Sequence, residues 1–531
     1  MKKTTFLLAF AASTLLAFNA CDSKKDKKKT EEEQRTNLNY DFKLSVKQTE
    51  HTNAPALQSF AHGVYGDYWV LFSGRTNDTL DDGGIHNMNN NSNYSTSSFP
   101  PRSFNTAIHL YNFKEDKLSS VSMYEFQEYL NMAIDIENNI EMKEYVEGVS
   151  NAVYQLRCTN PLVTQVDEFL YIIGGYGTNI DSTEKSASYQ TFNTVTRIHI
   201  PTLVNLLTMK EVNDIGDFFR QGSDDRLKST GGEVHYIDGT FYLCGGHNFG
   251  KGARNGQQYV DAVYPFSVSN NPSSLFKLNI DVKAPISDYP DTLGSAFADE
   301  NSKFRRRDGP MVPILYENNG QHYEGVGFYG GVFKPGNALA AWNDAIYIKA
   351  LPNDPSNQLS IYHFDTNYDQ TNYNVYSCPD FGVVAKNAEG QVELHTFLPG
   401  GIGDGSSDGN LSAFSNSYVE AILNTKTMSS NAKINKENLF NSDKFYGAEA
   451  AFIKANDPSI KYFSAASGKT EFIDANSTFS SEGGSKVVGY IYGGIEADTA
   501  SPASGSNTGY GPGLSQATKK IWEVTLHATP N

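Results

Sequence analysis

Along most of this chain the apolar residues come in short unbroken runs and not at helical spacing. Each run is bounded by clusters of Gly, Asn, Asp, Ser and Pro, the residues that end strands and build turns. A strand sends successive side chains to opposite faces, so an unbroken apolar run predicts a strand covered on both sides. The exception is Met123 to Val149, where acidic residues and spaced apolar ones predict an amphipathic insertion. The pattern as a whole predicts an all-β protein.

A unit recurs within this pattern. A short apolar and aromatic strand runs into a Gly-Gly pair and then a polar loop. It reads FLYIIGGYGTN from Phe169, TFYLCGGHNFG from Thr240, GVGFYGGVF from Gly325, LHTFLPGGIGDG from Leu394 and VVGYIYGGIEAD from Val487. A degenerate copy, YWVLFSGRTND, begins at Tyr68. Further strands follow most copies: NTAIHLYNF from Asn105, NTVTRIHI from Asn193, SLFKLNI from Ser274, QLSIYHFD from Gln358, SYVEAIL from Ser417 and KIWEVTLH from Lys520. Others precede them, such as PLVTQV from Pro161 and GEVHYI from Gly232. Six units with one order of strands predict a solenoid or a closed radial array.

The unit resembles the kelch repeat, in which a hydrophobic run meets a Gly-Gly doublet. The resemblance implies a six-bladed kelch-like β-propeller whose four-stranded blades pack face to face, and this accounts for strands apolar on both sides. Glycine suits the doublet because the strand turns where blades crowd, and a missing Cβ permits φ > 0 there. The doublets lie further apart than the roughly fifty residues of a kelch unit, so long loops are expected between them. KIWEVTLH leaves only Ala528 to Asn531 behind it, too few for an outer strand. Tyr40 to Gln48 alternates like a strand and is expected to complete the last blade, closing the ring and removing exposed sheet edges. Seven blades is the alternative, because Met123 to Leu156 is long enough to hold further strands.

The N-terminus predicts a compartment. Lys2 and Lys3 precede an apolar run from Phe6 to Phe18 that is too short to span a bilayer stably with these flanks. It ends at Asn19-Ala20-Cys21, which resembles a lipobox, and the resemblance implies a lipidated Cys21 as the mature N-terminus. Residues 1–20 then form a lipoprotein signal peptide, 21–38 a lipidated charged tether and 39–531 the propeller domain. The tether carries five lysines between Lys24 and Lys29 and three glutamates from Glu31 to Glu33, and it cannot bury a core. It reads either as a plain spacer or as a sorting signal, because it resembles the charged segments after the lipidated Cys in surface lipoproteins of the Bacteroidota type. The expected location is the outer membrane, on its surface or its periplasmic face, with the N-terminal lipid as the only membrane contact.

Composition narrows the partners. A formal charge of −17 gives no basic face for phosphates, so nucleic acid is excluded as an expected partner. Cys158, Cys244 and Cys378 permit at most one disulfide and show no zinc spacing, and they read as small core residues with no cofactor implied. Asp404, Ser406 and Asp408 alternate ahead of Gly409 like the start of a calcium loop. Ser415 stands where the bidentate Glu belongs, and the same residues also make ordinary turns.

In propellers, ligands meet the channel mouth and the loops of one face. Here the candidates lie just ahead of the innermost strands: His62, Arg157, Thr230, Arg306, Arg307, Asp308, Asp380 and Glu449. Guanidinium groups pair bidentately with carboxylates, so such a ring could clamp a sugar acid or a protein side chain. The same residues could equally form salt links between blades. No nucleophile elbow, HExxH or phosphate-binding loop is present. The expectation is a binding module for an outer-membrane or extracellular protein or a glycan, including an accessory role in a secretion or uptake complex. The alternative is an enzyme acting on a sugar acid at the channel mouth, similar to kelch-like sialic acid mutarotases.

Overall fold

The computed structural model describes residues 39–531 apart from 77–102, 137–138, 179–188, 213–214, 250–256, 289–301, 333, 335–340, 351–360, 372–374, 403–413 and 501–514. The first sheet runs Ala61–Tyr65, Tyr68–Phe72, Ala107–Asn112 and Lys117–Ser122, each strand antiparallel to the one before. The same order holds in the second sheet (Leu162–Val166, Phe169–Ile173, Thr194–His199, Phe219–Ser223) and the third (Glu233–Ile237, Thr240–Cys244, Val263–Asn270, Leu278–Val282). It holds again in the fourth (Met311–Asn318, Gln321–Tyr329, Ala345–Lys349, Tyr362–Asp365). The fifth (Phe381–Lys386, Val392–Pro399, Tyr418–Asn424, Ser429–Asn435) is widened by a hairpin, Tyr462–Ala465 and Gly468–Asp474. The sixth comprises Ala451–Lys454, Gly484–Tyr492, Ile521–Pro530 and, as its fourth strand, Tyr40–Gln48.

The second strand of each sheet carries the recurring apolar run. In Phe169–Ile173 and Thr240–Cys244 every residue after the first is buried. The runs are apolar on both sides because each sheet is sandwiched. One cluster, with Leu162, Ile173, Val234 and Leu243, fills the gap between the second and third sheets. Equivalent clusters fill the following gaps, and Trp69, Leu71, Tyr492 and Ile521 join the sixth sheet to the first. Each such side chain contributes about 1.5–3 kcal/mol by leaving water.

The doublets turn where the sheets touch. Gly174 and Gly175 have φ of +61° and +86°, and Gly175 N–H donates to Ser229 O of the next sheet at 2.9 Å. A Cβ on Gly174 would lie 2.1 Å from that carbonyl oxygen. In the degenerate copy Ser73 takes φ +57° in place of the first glycine, and Gly74 N–H still donates across to Cys158 O at 2.7 Å.

Three expectations are refined. The insertion is a pair of helices, Phe126–Ala133 and Ile140–Gln155, running beyond Val149, with Asn139 capping the second through Met142 N–H at 3.2 Å. Phe126, Leu130, Val149 and Val153 pack them on the first two sheets, so the described part of the stretch offered for a seventh blade is helical. The segments from Ser274 and Gln358 supply fourth strands. The third strands there are Val263–Asn270 and Ala345–Lys349, which have no doublet to mark them.

Candidate functional site: an axial channel

Just ahead of the first strand of each sheet, one residue adopts a left-handed backbone. These are Ser59, Asn160, Gly231, Asp308, Ser377 and Glu449, with φ between +49° and +66°. Their peptide groups form a closed circuit. Asn160 N–H donates to Ser59 O (3.1 Å), Gly231 to Asn160 O (3.1 Å) and Asp308 to Gly231 O (2.9 Å). Ser377 then donates to Asp308 O (2.7 Å), Glu449 to Ser377 O (2.7 Å) and Ser59 to Glu449 O (3.1 Å). A left-handed backbone costs roughly 1–2 kcal/mol at a residue other than glycine. One ring hydrogen bond returns about 1 kcal/mol, so packing of the sheets must hold the ring in place.

This ring sits at one end of a cavity of about 800 Å³ to which the first strand of every sheet contributes. Spacing along those strands arranges the wall. Three residues beyond the ring come His62, Asp380 and Phe452; five beyond come Gln165 and Lys454. The third sheet is offset by one, so Glu233 and His235 face in. Gly382 leaves a notch in the fifth sheet, and Phe472 of the inserted hairpin fills it. The hairpin joins that sheet through parallel pairing of Val383 with Ile473 and Val384 with Asp474. It thereby brings Glu471 to Lys454 Nζ, at 2.6 Å.

The wall is electrostatically crowded. Burial, then the charges of Asp380, Glu449 and Asp308, push the Glu233 carboxyl well above its ordinary range. Burial and then Glu471 lift Asp380 to about 7, against the pull of Lys454. Burial raises Asp308 against the pull of Arg307, and burial followed by the charge of Asp308 raises Glu449, although Ser59 Oγ and Asn160 Nδ2 donate to Glu449 Oε2 at 2.5 and 2.9 Å. Glu471 is pushed up by burial, but Lys454 and then His235 and His62 outweigh this and hold it low. Burial takes His62 down to about 4 and also lowers His235, whose Nε2 lies 2.6 Å from Met311 O, so both rings are neutral at pH 7.

The expected site residues divide between the channel and its surroundings. His62, Asp308, Asp380 and Glu449 line the cavity. Thr230 lies next to the ring and donates to Asn160 O at 3.0 Å. Arg157 is buried away from the channel against the Tyr154 ring, 3.5 Å from its centroid, and donates to Tyr124 Oη at 2.6 Å. Arg306 is fully buried, pairs with Asp344 at 2.8 Å and donates to Gly330 O at 2.9 Å, so it links the fourth sheet internally. Arg307 lies behind the ring, 3.2 Å from His247 Nε2 and 3.4 Å from Asp308 Oδ2. Cys21, Asp404, Ser406 and Asp408 lie outside the described residues. The three later cysteines are free thiols, with Cys158 and Cys244 buried.

Glu233, His235, Lys454 and Glu471 were not singled out from the sequence. A signal existed for the first two: polar residues alternate within GEVHYI, which marks one face of that strand as wet. Glu471 had none, because the hairpin interrupts the repeat.

Sheets of antiparallel strands packed around an axial cavity, with a Gly-Gly doublet at five contacts and Ser73-Gly74 at the sixth, fit a kelch-like β-propeller. No family model matches this chain. No curated protein matches it either. Among solved structures, one titled "Structure of YjhT" aligns over 90% of this chain and 99% of that chain, at 11% identity and a TM-score of 0.39.

Proposed function

We propose that this chain is an outer-membrane lipoprotein, anchored through Cys21, whose six sheets are the blades of one closed propeller and whose axial channel binds a protein partner or a glycan. The ring of six peptide hydrogen bonds supports six blades, and the pairing of Tyr40–Gln48 with Ile521–Pro530 over nine residues supports closure by the N-terminal strand. The observation that carries the binding role is the cavity of about 800 Å³, built from all six first strands and within the size range of ligand sites. The lipobox-like Asn19-Ala20-Cys21 and the charged stretch after it support presentation at the outer membrane, where the chain would serve alone or as an accessory subunit.

A second reading, an enzyme acting on a sugar acid, draws on Asp380. A carboxyl near 7 is half protonated at neutral pH, as general acid–base catalysis requires. The clamp for the sugar's carboxylate is harder to supply. Arg157 and Arg306 spend their donors elsewhere, and among the described residues Lys454 is the one Lys or Arg in the cavity wall.

Cross-linking the tagged chain in intact cells tests the proposal, with Val163→Trp, at a wall position three beyond Asn160, to fill the channel and Cys21→Ala to remove the anchor. The wild type should fractionate with membranes and recover a specific outer-membrane protein or glycan. Val163→Trp should lose that ligand, and Cys21→Ala should become soluble. Equal recovery by Val163→Trp refutes the channel, and a soluble wild type refutes the anchor.

A further inference from the structure

Many donors of the channel wall are engaged within the protein, and its carboxyls outnumber its cations. Six carboxylates belong to it: Asp167, Glu233, Asp308, Asp380, Glu449 and Glu471. Lys454 faces them, and its ammonium is already neutralised by Glu471 at 2.6 Å. The six N–H groups of the ring are consumed by the ring itself. Asn160 Nδ2 is turned onto Glu449, while Gln165 Nε2 donates to Val64 O and Asp167 O at 2.9 and 2.8 Å. By contrast, neither Glu233 nor Asp380 receives a hydrogen bond from any described residue; Asp380 is half-buried in the wall and Glu233 stands open to the channel. Carboxyls crowded together on one wall and lacking a donor gain most from an incoming one. Phe60, Met311, Pro313, Phe452 and Phe472 supply apolar wall between the charges, which suits a methylene stem beneath a charged head.

We propose that the channel takes an organic cation, the ammonium or guanidinium of a basic side chain presented by a protein partner, with its head between Glu233 and Asp380. This rests on the reading of the channel as the binding site, and it adds the charge and shape of the group that enters. The donor pattern opposes a carboxylated ligand for the same reason: an anion would meet six carboxyl groups and one ammonium that Glu471 already pairs.

The test is calorimetric titration of the mature chain with the peptides Gly-Gly-Lys-Gly-Gly and Gly-Gly-Arg-Gly-Gly, with acetyl-lysine and glutamate versions as controls. The basic peptides should bind, the acetylated one at least about tenfold more weakly, and the glutamate peptide weakest of all, as expected for charge-assisted hydrogen bonds. Glu233→Gln with Asp380→Asn should lower affinity for the basic peptides by about tenfold or more while the thermal midpoint shows the variant folded. Affinity should also fall with salt. Equal binding of the acetylated peptide, or binding untouched by the double variant, overturns the cation assignment. If Val163→Trp abolishes that binding, the channel reading survives alone. Basic-peptide binding that persists in Val163→Trp places the ligand outside the channel and overturns both. No binding by either basic peptide overturns the cation assignment.

Discussion

Replacing Gly174 with alanine should loosen the contact between the second and third sheets. The residue sits at φ +61°, where alanine pays about 1 kcal/mol relative to glycine. The new Cβ would lie 2.1 Å from Ser229 O, a backbone atom that no side-chain rotation can move aside. Relief requires about 1 Å of separation, which stretches the 2.9 Å bond from Gly175 N–H to the same oxygen and removes about 1 kcal/mol. Forcing apart the cluster of Leu162, Ile173, Val234 and Leu243 adds about 1–3 kcal/mol, as overpacking does elsewhere. The expected loss is therefore about 3–5 kcal/mol. Gly239 is the control, because its φ is +84° but nothing lies within 4 Å of a Cβ there. Gly239→Ala should cost only the backbone term, about 1 kcal/mol. Urea unfolding of both variants, compared by transition midpoint at equal slope, measures the difference. Equal midpoints for the two variants would refute the claim that the doublet exists for inter-sheet contact as well as for turning the chain.

Asp380→Asn should change how stability depends on pH. The folded carboxyl titrates near 7 against an ordinary 3.8, so the native state binds the extra proton between those values. Its stabilising contribution is complete below about pH 4 and lost as pH rises through 7. Thermal midpoints from pH 4.5 to 8.5 should fall less steeply for the variant, and superimposable curves would contradict the assignment. Within Tyr40–Gln48, Leu44→Ala should cost about 2–5 kcal/mol, because Leu44 is buried in the cluster of the fifth and sixth sheets. Lys43→Ala, whose partner Glu437 is also exposed, should leave the midpoint in the same unfolding assay unchanged.

Much of the architecture was readable in the linear pattern, and the reason is local. A strand buried on both faces must be apolar throughout, so TFYLCGG and VVGYIYGG announce themselves without knowledge of their neighbours. The doublet announces the turn because its glycines press against the neighbouring sheet at positive φ, a place that Ser73 takes at the first position of the degenerate copy. Strands without such a mark were harder to place. Val263–Asn270 mixes Pro and Ser with its apolar residues, and the flanking Leu278–Val282 took its position in the reading of the repeat. Met123 to Val149 was legible as an insertion, but its termination at Gln155 depended on packing against the first two sheets.

For the site, the chain by itself determined which residues stand ahead of the innermost strands, since the repeat fixes that spacing. His62, Asp308, Asp380 and Glu449 reach the channel for this reason. Only the tertiary structure decided where the arginines point. Arg157 turns onto Tyr154 and Arg306 onto Asp344, because a buried guanidinium settles where aromatic faces and acceptors surround it. Those acceptors come from turns of the chain that no local pattern brings together. The charge of the channel was hidden for the same reason. It depends on which carboxylates converge on the axis, on a hairpin that carries Glu471 across to Lys454, and on a ring that uses up its own N–H groups. Convergence of this kind is a property of how the sheets pack around the cavity and not of sequence spacing.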